Sequence, residues 1–261
     1  MLKIQDDQEG RDLEANDRYN SYNRCALWLL QIVSKSIQRN TQIRLINKEN
    51  KMAHTIYKNG KGKRLKSVTT IINGNLGWKT GALIGWNLKL VDQGLNPRAE
   101  LKKAGLVGTL AHNMVEQFIK GGSVILDGYE AEVISKAKIA YYGFYNWFAD
   151  NNVEFHETEL KLVSEKYQFG GTFDAICEVN GKLVICDWKT SNSTYSEFLI
   201  QLGAYRQLIQ ENLDHDIRGA ILLRLDKEEK GVYEEHHYKI KDLNWGWKMF
   251  KLLLKIQENK R

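Results

Sequence analysis

The sequence predicts an α+β or mixed α/β domain built around one sheet. Three observations carry that expectation: amphipathic helical spacing over residues 107–120 and 130–150, a change to two-residue alternation near Glu157, and Asn180-Gly181 set between two apolar runs. The resulting order is helices, a three-strand meander, a helix, two strands and a helix, which a single sheet with packed helices accommodates.

In chain order, the first fifty residues are polar except around Ala26 to Val33, where Ala26, Leu29, Leu30, Val33 and Ile37 share one helical stripe. Residues 1–53 are therefore set apart as an N-terminal extension whose role the sequence leaves unread, and 54–261 as one domain. From His54 short strands are expected around Asn59-Gly60, then Ser67-Val68-Thr69 leads into a helical stretch containing Leu83, Trp86 and Leu90. Val107, Leu110, Ala111, Met114 and Phe118 form the stripe of the 107–120 helix, after Gly105 and Gly108. Val133, Ala137, Ala140, Phe144 and Trp147 form that of the next helix. Glu157, Glu159 and Lys161 then alternate with Thr158, Leu160 and Leu162, as a strand requires. Strands at 169–179 and 182–188, a helix at 195–211, strands at 217–226 and 232–240, and a helix opened by Asp242 complete the chain.

Length and composition bound the function. The chain has 261 residues, 43% of them hydrophobic and 27% charged, an ordinary globular balance that excludes disorder and fibrous repeats. Neither a transmembrane run nor a signal peptide is recognisable, so a soluble, cytoplasmic protein is expected. Cys25, Cys177 and Cys186 form no CxxC pair and are too few for an all-cysteine zinc site or a four-cysteine cluster. They are read as reduced structural thiols. A net charge of +6 favours an anionic partner such as nucleic acid. Gly74 to Thr80 reads GNLGWKT, but a phosphate-cradling loop needs glycine where Trp78 stands, so no ATP is expected. His236 and His237 are strand neighbours on opposite faces and cannot share a metal.

The chemistry concentrates near the Asn180-Gly181 hairpin. A two-residue turn sets Val179 against Lys182, and the ladder counted back sets Ile176 against Ile185, Asp174 against Asp187 and Thr172 against Lys189. Two carboxylates directly opposite, with Cβ atoms roughly 5 Å apart, repel unless a cation lies between them. Hard oxygen ligands suit Mg²⁺ or Mn²⁺, and Lys189, two residues beyond Asp187, can reach the water or phosphate oxygen where charge develops. Asp-x-Lys is by itself a common tripeptide; the register argument gives it weight. Glu157 or Glu159 of the preceding strand can supply a third carboxylate. His112 and Glu116 lie one turn apart off the apolar stripe of their helix, which leaves His112 either solvent-exposed or pointing into a polar cleft. Gln201 and Tyr205 are also one turn apart, and Tyr205 fits the apolar stripe with Leu202 and Ile209.

These pieces resemble the PD-(D/E)XK nuclease superfamily, in its RecB-like exonuclease branch, with phage-encoded members looking closest. The resemblance rests on Ser67-Val68-Thr69 before a helix, GTLAH ending at His112, GGTFD ending at Asp174, ICDWKTS carrying Asp187 and Lys189, and QLGAY from Gln201 to Tyr205. It covers roughly residues 54–240, in the family order. It implies a central mixed sheet flanked by helices, a restriction-endonuclease-like core. It also implies that Asp174 and Asp187 bind metal, that His112 assists there, that Lys189 positions or activates the attacking water, and that Gln201 and Tyr205 support the site or contact the DNA backbone. Phe173 stands where the family name has proline, and Asp187 replaces the commoner glutamate. The four cysteines that hold an iron-sulfur cluster in some relatives are absent, so no iron-sulfur cluster is expected.

The function expected is a Mg²⁺-dependent DNA exonuclease that hydrolyses phosphodiester bonds by metal-activated water, without a covalent intermediate. A structure-specific endonuclease would use the same residues, and a catalytically silent nucleic-acid-binding module could use the same fold. The module has no use for two opposed acids beside a lysine.

Overall fold

The computed structural model describes residues 55–260, so the stripe of Ala26 to Ile37, and Cys25, lie outside the described residues. Apart from 121–128, which group separately, the described residues form one unit. Its strands are β1 (Tyr57–Lys58), β2 (Arg64–Ser67), β3 (Val153–Ser164), β4 (Phe169–Val179), β5 (Lys182–Lys189), β6 (Gly219–Leu225) and β7 (Tyr233–Lys239). Its helices are α1 (Val68–Asn75), α2 (Thr80–Asp92), α3 (Pro97–Ile119), α4 (Ala131–Asp150), α5 (Ser196–Asn212) and α6 (Ile240–Glu258). The strands form one mixed sheet, ordered β1-β2-β4-β5-β6-β7 with β3 also paired to β4.

Where the polypeptide departs from the sequence expectation, the causes are local. The helix expected from residue 107 begins at Pro97, because Asn96 Oδ1 accepts the amides of Arg98 and Ala99 and proline preorganises the first turn. Gly105 and Gly108 thus lie inside α3 and not before it. The stretch after Ser67 is two helices: Ser67 Oγ caps α1 by accepting the Thr70 amide at 3.1 Å, α1 ends at Asn75, and α2 starts only at Thr80. In α6 Asp242 is the third helical residue, not the opener, and its carboxylate reaches back to the Lys239 amide at 2.9 Å.

The β4–β5 hairpin has the expected turn. Asn180 and Gly181 both have positive φ, 49° and 76°, as a type I′ turn demands, and the register runs from Val179↔Lys182 to Ala175↔Cys186. There the ladder stops. Since β3 pairs along the whole of β4, from Val153↔Val179 to Ser164↔Phe169, β5 and β2 must share the other edge. β5 takes residues 175–179 and β2 takes Phe169 and Gly170, which leaves residues 171–174 of that edge without a strand partner among the described residues. β5 continues past the parting by pairing in parallel with β6, as far as Lys189↔Arg224.

Helices cover both faces. Val68 and Ile71 of α1, Leu202 and Leu208 of α5, and Phe250 of α6 share a buried core with Phe173, Ile185 and Leu222 of the sheet. Trp188 instead meets α4, with its ring centroid 5.2 Å from Phe144 and 5.7 Å from Trp147. α5 and α6 cross backbone to backbone: a Cβ on Gly203 would strike the Trp247 amide, and one on Gly246 the Leu199 carbonyl. Cys177 and Cys186 are buried free thiols. No helix among the described residues is long and apolar enough to cross a membrane.

Candidate active site

Asp174 sits at the point where β4 and β5 part. One carboxylate oxygen accepts the Trp188 backbone N–H at 2.8 Å, and that hydrogen bond stands where a ladder bond would otherwise lie. Asp174 and Asp187 are therefore not a cross-strand pair, and Lys189 does not face Thr172, which instead pairs with Lys161 and shares a 2.9 Å hydrogen bond with the Tyr57 hydroxyl. The other oxygen of Asp174 lies 3.4 Å from His112 Nδ1. α3 brings this imidazole over the sheet edge with its side chain 28% exposed, off the apolar stripe as its position implied.

Glu159 completes the cluster. β3 carries a bulge at His156, between Phe155↔Cys177 and Glu157↔Ile176, after which Thr158 faces Ala175 and Leu160 faces Phe173. Glu159 thus stands opposite Asp174, in a left-handed conformation with φ 52° that a non-glycine residue rarely adopts. One ligand atom each from His112, Glu159 and Asp174 lie within 4.8 Å of one another. They open on a cavity of about 430 Å³ also lined by Gly108, Thr109, Asn113 and Glu116. Between the two strand glutamates the sequence left open, it is Glu159 that joins this cluster. A larger hollow, of about 800 Å³ near Arg64, Ser67 and Asn73, has no carboxylate in its wall.

Asp187 is 1% exposed and lies outside that trio. Its carboxylate makes a close ion pair with the Lys189 ammonium, and beyond that neither oxygen finds a hydrogen-bond donor. Gln201 donates from Nε2 to the Tyr205 hydroxyl at 2.8 Å, and Tyr205 is 4% exposed. Its ring packs where a Cβ on Gly171 would stand, 2.9 Å away, which explains the second glycine of GGTFD. Tyr205 therefore packs in the core beneath Gly171.

The electrostatics follow from burial and from each group's neighbours. Burial lifts the Glu159 carboxyl to about 7, and the Asp174 charge adds to that. Burial lifts Asp187 to about 6 against the opposing pull of Lys189. Burial would raise Asp174 too, but His112, Lys189 and the Trp188 N–H outweigh it and hold Asp174 below its ordinary value. Burial opposes charge on His112, yet Asp174 prevails and raises its pKa. Burial, then the charges of Asp187 and Asp174, push the Tyr205 hydroxyl well up. Two crowded carboxylates, an imidazole and a buried carboxylate short of donors make a donor set that fits a hard divalent cation. Sequence alone could not single out Glu159, because its position depends on the His156 bulge and on a backbone conformation that its residue type does not signal.

The family model described as the PD-(D/E)XK nuclease superfamily matches residues 85–258. No curated protein matches the chain. Among solved structures, the chain is similar to a protein of Eubacterium rectale named as a candidate exonuclease, at 12% identity over 59% of this chain and 69% of that one, with a TM-score of 0.40. It is also similar to the protein designated SSO0001, at 16% identity over 89% and 88% of the two chains, with a TM-score of 0.37. Likenesses this shallow decide nothing about activity.

Proposed function

The chain belongs to the PD-(D/E)XK nuclease superfamily, and on that premise we propose that it is a divalent-metal-dependent DNA exonuclease of the RecB-like, phage type acting in the cytoplasm. Membership implies a nucleic-acid substrate and hydrolytic chemistry. The observation that carries the finer reading is the meeting of His112, Glu159 and Asp174 within 4.8 Å, beside a buried Asp187–Lys189 pair. Residues 54–261 form the nuclease domain in this reading, and 1–53 an extension without an assigned role.

His112, Glu159 and Asp174 would hold Mg²⁺, or Mn²⁺, and Asp187, whose carboxyl feels the charges of Asp174 and His112, would join them once ionised. The cation would supply Lewis acidity to the scissile phosphate and lower the pKa of its water. The Trp188 N–H and His112 fix the Asp174 carboxylate, leaving it ionised at neutral pH. Lys189, held by Asp187, presents an ammonium that orients the attacking water or meets charge growing on the phosphate. Gln201, anchored by Tyr205, would order the reacting phosphate. No iron-sulfur cluster, ATP or membrane enters this chemistry.

Offering linear and covalently closed DNA with and without Mg²⁺ tests the reading. Ordered products from linear DNA alone, and only with Mg²⁺, are expected. Cutting of closed circles would make the enzyme an endonuclease on the same residues.

A further inference from the structure

A second half-buried lysine stands beside Lys189 and has no part in the chemistry above. Lys79 lies in the link between α1 and α2, and its ammonium rests 4.6 Å from the ring centroids of both Tyr195 and Phe198. Those rings meet edge to face, with centroids 5.6 Å apart. The Lys189 ammonium lies 5.2 Å from the same Phe198 centroid. One aromatic ring therefore carries two lysines, and one of the two is the lysine of the candidate site. Burial holds the Lys79 pKa down, the charge of the buried Glu197 pulls it up, and the smaller influence of the Lys189 charge pulls it down again.

The arrangement is unfavourable for the protein alone. Lys79 is half-buried, so its repulsion from Lys189 is screened less than between two charges in water. The ring faces attract the Lys79 cation, but they do not accept hydrogen bonds as an oxygen does, and an ammonium has three donors to satisfy. Among the described residues none of these donors finds an ion pair or a hydrogen bond. Glu197 attracts the Lys79 charge without hydrogen-bonding it, so a phosphate would accept these donors and screen the two lysines from each other, and a nucleic-acid strand entering the neighbouring site brings a row of phosphates. We propose that Lys79 is a substrate-binding residue that holds a phosphate next to the scissile one on the same strand, with Tyr195 and Phe198 as the platform that fixes its position. This inference rests on the nuclease reading. It gives the GNLGWKT segment a phosphate contact made by a single lysine, without a phosphate-cradling loop.

The competing view is that Lys79 merely covers two rings with its aliphatic stem. Lys79→Met keeps the stem and removes the charge, whereas Lys79→Arg keeps a charge over the rings. DNA affinity in Ca²⁺ is measured across a salt series, and single-turnover cleavage in Mg²⁺ is measured at saturating DNA, with Lys79→Gln as a second neutral variant and melting temperatures as the control for folding. The methionine variant should bind about 10-fold more weakly at low salt, with a salt slope smaller by about one, uniformly across sequences. Its cleavage rate at saturation should fall less than its affinity, and the arginine variant should stay within about twofold of wild type. Wild-type affinity and slope in both neutral variants would overturn the inference, as would equal losses in the methionine and arginine variants. A wild-type protein that neither binds nor cuts DNA would overturn the nuclease reading beneath it, an outcome distinct from an active wild type indifferent to Lys79.

Discussion

At Glu159 the chain accepts a left-handed backbone conformation, at a cost on the order of 1–2 kcal/mol, and so brings a carboxylate to Asp174 and His112. Strain retained at such a point is what a site demands and a core does not. The raised carboxyls of Glu159 and Asp187 give the site a definite pH behaviour. A carboxyl with a folded pKa above its unfolded value binds more protons folded than unfolded, so its ionisation removes stability as pH rises between the two values. For Glu159 that window ends at about 7 and for Asp187 at about 6. His112, also raised, contributes stability that is present at low pH and is lost as pH rises through its folded value. Asp174, depressed, has the opposite sign, and its contribution is lost only in stronger acid. The metal-free protein should therefore melt at progressively lower temperature from pH 5 to about pH 7. The rise in melting temperature produced by Mg²⁺ or Mn²⁺ should grow over the same range, since the cation needs the ionised carboxylates and the neutral imidazole. A pH-independent metal increment would contradict the assignment. Asp187→Asn removes a buried charge, so at pH 8 without metal its stability should hold or rise, while cleavage should disappear, as it should in Lys189→Ala; near-normal turnover in either would remove both residues from the site. His112→Ala should reduce activity severely and Glu116→Ala much less, because Glu116 lines the cavity but pairs with Lys120 at 2.6 Å. Equal and negligible losses would return His112 to a solvated helix face.

Among the elements, the β4–β5 hairpin was legible from Asn180-Gly181 because a two-residue turn fixes register by local backbone geometry alone. The parting of the strands at Asp174 was not, because it depends on a side chain taking the Trp188 amide from the opposite strand. The early start of α3 was written in Asn96-Pro97, a cap and a first-turn proline, whereas the apolar stripe marks only the part of the helix that is buried. The candidate site was legible in type, since Asp174, Asp187 and Lys189 lie where β4 and β5 part and His112 reaches Asp174 there. Its division into a trio with Glu159 and a separate Asp187–Lys189 pair arises from tertiary geometry. The α5–α6 crossing fixes the helix that carries Gln201 and Tyr205, since there is no room between the helices for a Cβ at Gly203 or Gly246. Gly246→Ala should therefore lower stability by about 1–3 kcal/mol, read from denaturant unfolding, with activity falling as Tyr205 and Gln201 move. Unchanged stability would mean that the two helices are free to separate.

For the molecule as a whole, a net charge of +6 over 261 residues gives a broad attraction for a polyanion that needs no base recognition. In Ca²⁺, which prefers looser and higher coordination than Mg²⁺, the protein should hold DNA without cutting it efficiently, and affinity should fall steeply with salt. Under the proposed function binding and chemistry should separate, since phosphate contacts would come from lysines and arginines and the reaction from the acids at the strand parting. The most direct test of that division is the cleavage rate of end-labelled linear DNA by the wild-type protein and by Asp174→Asn, measured side by side across a Mg²⁺ titration that ends in chelator. Product should accumulate with Mg²⁺ in the wild type, vanish in chelator, and form at least about 100-fold more slowly in Asp174→Asn, with both proteins binding the same DNA equally in Ca²⁺. Cleavage that persists in chelator, or an Asp174→Asn protein that cuts at the wild-type rate, would contradict the metal-dependent site described above.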